Sequence, residues 1–508
     1  MAQESPPAEE TSDLPTVART PIESGAIGAL DLWSAPGRAT ALPADLWQGT
    51  SARQARAMLA RIGTRPLSPA MHRLAADLLA TGARAPDGGG NDESLAAERI
   101  AALIRLGESE AALSLLARTP GVEASETLSR ARAEAWLWQG DTERACQSAR
   151  ALTRDREAPF QLRLRAFCHA IAGETMQAEV TYGLWQASGE SDANYVRLMG
   201  QVLAGTTEGR GAGAADSALN HALSRHLGLE VPSDLPEGHP LRARAAAIAA
   251  VPRPPLPAPA PAPAPASGAA APSPDDLPTP LDDNARRDEQ HRQWAAAIET
   301  ALEAASGDTD LLRRTARANR QGMGELISRG TPFQQPLRIV TALVLAGEPA
   351  AAQALLATTL EGSPFDLAMA DALVTASGVG SIAASLDRLI ERGEAGDPAA
   401  RPRARQAALL LFALGAEATP DARARLLGFE FPAPRAGAGQ LLGLSRAAGE
   451  DRAGEAALIA LDLALEGPPG ISERALIVRT LAEAGLTDHA RDVAIEGLIA
   501  IQRGAARP

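Results

Sequence analysis

Apolar residues recur at three- and four-residue intervals from Ser51 to about Leu229, and again from about Asn284 to Ile501, with short polar breaks between the runs. That period predicts amphipathic helices. In the second stretch the period lapses at Pro332 to Pro336, Gly396 to Pro402 and Phe429 to Gly439, where turns or longer loops are expected. Residues 1–28 carry no period and predict a disordered tail. Residues 29–50 form a Pro-containing arm with tryptophans in Asp31-Leu32-Trp33-Ser34 and Asp45-Leu46-Trp47-Gln48. Such residues either pack on their own domain or dock a partner. After Val251, prolines alternate largely with alanine and leucine from Pro252 to Pro265, which predicts an extended spacer over 251–283. It divides an N-terminal helical unit, 51–250, from a C-terminal one, 284–502, before a short tail at 503–508. The spacer is expected to be the site most open to protease.

Glycine punctuates the first unit regularly. Gly107, Gly140 and Gly173 are 33 residues apart, and Gly205 follows 32 later. Each ends an apolar run and precedes a polar start, as in Gln139-Gly140-Asp141-Thr142. A glycine supplies the left-handed end of one helix, and alanine five residues on (Ala112, Ala145, Ala178) lets the next helix approach closely. Residues 95 to 205 are therefore expected to form antiparallel helix pairs, with Ala133, Trp136 and Leu137 on a buried stripe.

With Ala133, Trp136, Gly140 and Ala145 in place, and Ala166, Gly173 and Ala178 repeating three of them, the sequence resembles the tetratricopeptide repeat family. The family's units are helix pairs of about 34 residues stacked into a superhelix. The likeness is partial: Ile100 stands at the first small position of the earlier unit, His169 at the aromatic position, and Arg210 where an alanine would follow Gly205. The second unit has the same punctuation at Gly347 (with Ala352), Gly449 (with Ala456) and Gly485 (with Ala490). The resemblance implies an all-α fold of two solenoid units and a binding function.

Composition agrees with helices. The chain is rich in alanine and only 3% aromatic, which suits close helix packing and poorly fills a pleated sheet. Its 49 basic residues are all arginine and are outnumbered by 62 acidic ones, a formal charge of -13 that disfavours nucleic acid. No apolar run is long enough to span a bilayer.

Most constellations read as structural. Asp282-Asp283-Asn284 resembles an aspartate-rich metal motif, but its place at the end of the spacer favours capping of the first helix of the second unit. His221 and His226 are badly spaced for ligands on one helix face. Arg163 and Arg165, and Arg401, Arg403 and Arg405, read as solvated faces. Glu-Ser dipeptides are present without the second catalytic segment of lytic transglycosylases, and no Gly-x-Ser-x-Gly elbow or Walker loop occurs. No catalytic, cofactor or metal residue is therefore assigned. Cys146 and Cys168 lie about 11 residues either side of a turn near Glu157, which sets them at similar height in a hairpin, in contact as a disulfide or as two buried thiols.

The opening Met1-Ala2-Gln3-Glu4-Ser5 has no charged or apolar leader, yet Ala-Gln after an added Met is what remains at a signal-cleavage site. The expectation is a non-enzymatic protein-binding scaffold of a bacterial cell envelope, in mature periplasmic form. The alternatives are an all-helical enzyme or accessory factor acting on cell-wall glycan, and a cytoplasmic regulatory adaptor.

Overall fold

The computed structural model describes residues 32–504, apart from 207–208, 233–234, 236–238, 246–250, 254–282 and 359–360. Among these, all regular structure is helical except one isolated bridge between Ser51 and Asp87. After the arm come α1 (Ala52–Leu59) and α2 (Pro69–Ala80), followed by the hairpins α3 (Glu93–Arg105) and α4 (Ser109–Leu116), α5 (Glu126–Gln139) and α6 (Thr142–Ala151), and α7 (Pro159–Ile171) and α8 (Thr175–Ala187). The first half ends with α9 (Ala193–Leu203), α10 (Ala218–His226) and the short α11 (Pro240–Ala245). The second half opens with α12 (Asp283–Ala304), α13 (Thr309–Ala318) and α14 (Arg320–Ser328). It continues with α15 (Pro336–Ala346), α16 (Pro349–Leu356), α17 (Pro364–Ala376), α18 (Ile382–Ala395), α19 (Arg401–Ala413) and α20 (Pro420–Leu427). The final four are α21 (Ala438–Gly449), α22 (Ala453–Leu465), α23 (Ile471–Glu483) and α24 (Thr487–Gln502). Neighbouring helices pack pairwise through both halves, an architecture compatible with an α-solenoid.

The boundaries follow from local chemistry. Asp141 accepts a hydrogen bond from the Arg144 amide at 2.9 Å, Asp192 one from Tyr195 at 2.8 Å, and Ser125 caps α5 in the same way. Proline, whose missing N–H costs nothing in a first turn, opens α7, α15, α16, α17 and α20. Gly107, Gly140 and Gly173 each end a helix in the left-handed region. At Gly140 φ is +79°, a backbone conformation that L side chains rarely adopt, and the tip of the Arg225 guanidinium of α10 lies where a Cβ would stand and would have to move aside for one.

Two expectations are corrected. In the second unit Gly449 is the last residue of α21, and the left-handed turn residue is Asp451 at φ +56°. Aspartate tolerates that region through local hydrogen bonding of its short side chain. In α5, Ala133 and Leu137 are buried as expected, but Trp136 is only half-buried beneath Arg144, and Trp138 is the more enclosed tryptophan. The disordered tail expected at 1–28, the Pro/Ala run at 254–282 and Asp282 lie outside the described residues. The first residues of the expected spacer dock on the second half. The Val251 amide donates to Asn319 Oδ1 at 2.8 Å, and Arg253 pairs with Glu325 at 2.8 Å above the Trp294 ring.

The two halves pack on one another, α1 and α2 against α22 and α24. Glu496 of α24, itself buried, accepts from the Ala70 amide in the first turn of α2 at 2.9 Å and from Arg474 at 3.1 Å. A carboxylate is favoured there because the opening N–H groups of α2 lack helical partners. Around it Arg73 pairs with Asp492 at 2.7 Å, Gln54 donates to Glu455 at 2.9 Å, and Arg61 pairs with Asp462. The arm closes one edge: the Gly454 amide of α22 donates to the Leu46 carbonyl at 2.9 Å, and a Cβ on Gly454 would stand 2.6 Å from that oxygen and 2.8 Å from the Trp47 ring.

Candidate binding surfaces

A cleft of about 600 Å³ runs between α3 and α5 and is bounded at one end by residues 215–218 and by His239. Its walls alternate in charge. Glu98 pairs with Arg105 at 2.8 Å, and Arg130 with Glu134 at 2.9 Å. Arg105 also donates to the Ile62 and Leu59 carbonyls, which fixes it at the rim. Burial works against the Arg130 charge, but Glu134, Glu126 and Glu190 outweigh it and hold the guanidinium above its ordinary value. At the closed end Trp138 stacks on His221 at 5.4 Å and meets the edge of His239 at 5.2 Å. These rings meet because α10 folds back onto α5.

A second concavity, of about 450 Å³, lies at the seam between the halves and is lined by Arg38, Arg73, Asp77, Arg317, Thr487 and His489. Burial holds the His489 imidazole below its ordinary range, against the attraction of Asp77 and Asp492. Arg38 bridges Asp77 at 2.6 Å and Glu108 at 3.0 Å, so much of the charge here is already paired. Among the described residues no group of three or more His, Cys, Asp or Glu could hold a metal ion. No described helix is long and apolar enough to cross a membrane.

The residues singled out from sequence have definite fates. Cys146 of α6 and Cys168 of α7 are joined as a disulfide with Cα atoms 5.7 Å apart, because the turn between α6 and α7 sets them opposite each other and so staples one hairpin to the next. Trp33 and Trp47 are corrected as candidate docking residues. Both have no exposed surface, and their rings meet edge to face at 5.3 Å inside the shared core. His221 is buried on Trp138, and His226 meets the edge of Phe167 at 6.2 Å, so the two serve different neighbours. The arginine groups are mostly engaged: Arg163 pairs with Asp192 at 2.8 Å, Arg401 and Arg405 donate to the Gly396 and Gly393 carbonyls, and Arg403 lies over Phe365.

Sequence reasoning did not single out Arg99, the Trp138 cluster or α8. Arg99 is fully buried and donates to the carbonyls of Leu79 (2.7 Å), Thr81 (2.6 Å) and Trp33 (3.1 Å) while lying 5.0 Å from the centre of the Trp33 ring. The signal for α8 was its run of apolar residues beyond what one buried stripe needs, Met176, Val180 and Leu184 in addition to Ala178, Tyr182 and Trp185. Met176, Val180 and Leu184 stand exposed on its outer face. No protein-family model matches the chain, and no curated protein or solved structure is significantly similar to it.

Proposed function

We propose that this chain is a non-enzymatic, protein-binding scaffold of the tetratricopeptide-like kind, working in the oxidising space of a bacterial cell envelope. The observation that carries the reading is the cleft between α3 and α5, a surface shared by successive helix pairs rather than a closed chamber. Its Glu98, Arg105, Arg130 and Glu134 offer donors and acceptors in alternation, with Trp138 partly walling the end. That arrangement suits an extended polypeptide segment carrying both charges, and a stacked helix array has no built-in chemistry of its own. The Cys146–Cys168 disulfide supports the compartment, since such bonds persist where thiols are not kept reduced.

The test is a photo-crosslinking residue at Thr127 or Ser94, both exposed in the cleft, in the full chain within its native cells. The reading expects a discrete polypeptide adduct that disappears when Arg130→Glu and Glu134→Arg are combined. An adduct indifferent to that reversal, or none from either position, would contradict it.

A further inference from the structure

Where the halves meet, positive charge is left over. Arg38 of the arm and Arg73 of α2 come from one side, and Arg313 and Arg317 of α13 from the other. Arg38 holds Asp77 at 2.6 Å and Glu108 at 3.0 Å, while Asp492 is held by Arg73 at 2.7 Å and stands 4.0 Å from Arg313. Two further acids nearby are engaged elsewhere, Asp310 with Arg314 at 2.8 Å and Asp488 with Arg491 at 3.3 Å. Four guanidiniums therefore meet three carboxylates, and Arg317 is left without an ion pair among the described residues. Partial burial and the charges of Arg313 and Arg73 hold the Arg317 pKa below its ordinary value, against the pull of Asp492 and Asp310.

Arg317 lines the seam cavity of about 450 Å³ together with the start of α24. No side chain caps that helix, so its opening residues Thr487, Asp488 and His489 present N–H groups without helical partners and a partial positive charge. His489 lines the same cavity and is only 5% exposed. Its Nδ1 has no hydrogen-bond partner, and its Nε2 stands 3.6 Å from the Asp77 carboxylate, beyond bonding distance. An unpaired guanidinium, an uncapped helix start and a buried imidazole with an unsatisfied nitrogen share one cavity, and an oxyanion complements all three. Ala39, Ala41 and Leu42 of the arm form an apolar wall beside them, which suits a short carbon skeleton.

We propose that the seam cavity binds a small free oxyanion, a carboxylate or a phosphate, with Arg317 as its principal cation and the opening N–H groups of α24 as donors. The bound anion supplies the missing charge between elements of both halves and tightens the seam. This stands apart from any polypeptide in the α3–α5 cleft, and its test needs none. The probes are inorganic phosphate and succinate, each titrated into the purified full chain against sodium chloride of equal ionic strength, with calorimetry and melting temperature as readouts. At least one should bind once per chain with a Kd of about 0.1–10 mM and raise the melting temperature saturably, and the better of the two identifies the preferred oxyanion. Arg317→Gln should weaken binding about tenfold or more, yet melt in chloride at or above the wild-type temperature, because repulsion from Arg313 and Arg73 is relieved. Thr487→Glu, which sets a carboxylate at the start of α24 inside the cavity, should likewise remove the response. Neither probe doing more than chloride would overturn the proposal. So would binding within about threefold of wild type in both variants.

Discussion

Replacing Arg99 with alanine tests how the arm is held. The guanidinium is fully buried, and its three donor bonds tie α3 to the Leu79 and Thr81 carbonyls at the end of α2 and to Trp33 of the arm. Hydrogen bonds from a charged donor are worth about 1.5–3 kcal/mol each, and a stranded buried acceptor costs about 1–3 kcal/mol. Desolvation of the arginine offsets much of the gross sum, so a net loss of about 3–5 kcal/mol is expected, set mainly by the three carbonyls left without their donor. Arg99→Lys keeps the charge but cannot reach three diverging carbonyls from one nitrogen, and should lose about 2 kcal/mol. Hydrogen exchange by mass spectrometry over residues 32–50 and 80–85 is the assay, because the Gly37 amide donates to the Ala80 carbonyl and the Ala83 amide to the Trp33 carbonyl. If the arm opens as a unit, a loss of 3 kcal/mol raises exchange there by roughly 100-fold, with the lysine variant in between. Protection unchanged within about threefold in Arg99→Ala would refute the clamp.

Reduction of the Cys146–Cys168 bond, or the double Ser variant, should lower stability by about 3 kcal/mol for a sequence separation of 22 residues, read from denaturant midpoints with and without reductant. His489 has its pKa lowered by burial, so below its ordinary value of about 6.5 the unfolded chain takes up a proton that the folded chain resists. Melting temperature should fall as the pH drops through and below that value, more steeply than in His489→Gln, and the two proteins should show parallel profiles above pH 7.5 or so. Glu473 is buried, which alone would raise its pKa, yet the Gly470, Ala436 and Arg435 amides outweigh burial and hold it down. Glu473→Gln should therefore cost about 1–3 kcal/mol at neutral pH, a penalty that shrinks on acidification as the native carboxylate is itself protonated.

Local features were the legible ones. The left-handed turns at Gly107, Gly140 and Gly173 follow from spacing because each is decided by a few adjacent residues. The cysteine pair was readable for the same reason, the residues lying on the consecutive helices α6 and α7 either side of one short turn. Asp451 was missed because aspartate and glycine share that backbone region, and the nearby Gly449 drew the assignment. The seam was invisible: Arg61 and Asp462, or Ala70 and Glu496, stand some 400 residues apart. A helical period says which face is apolar but not which distant face it meets. Arg99 escaped notice because an arginine in a helix ordinarily reads as exposed, and its acceptors are backbone carbonyls with no side-chain signature. The cleft depends likewise on α10 turning back to α5, a long-range choice that no spacing records.

The two halves forming one packed body is the claim on which the seat of the arm and the seam both rest. A specific protease site introduced between residues 254 and 282, and then cut, tests it directly, with co-elution of the fragments on a sizing column as the readout. The fragments should remain together in the uncut protein's peak, and Gly454→Leu, which drives a side chain into Leu46 and Trp47, should release them or weaken their hold. Fragments that separate on cutting the otherwise unchanged chain, each still helical, would contradict the account.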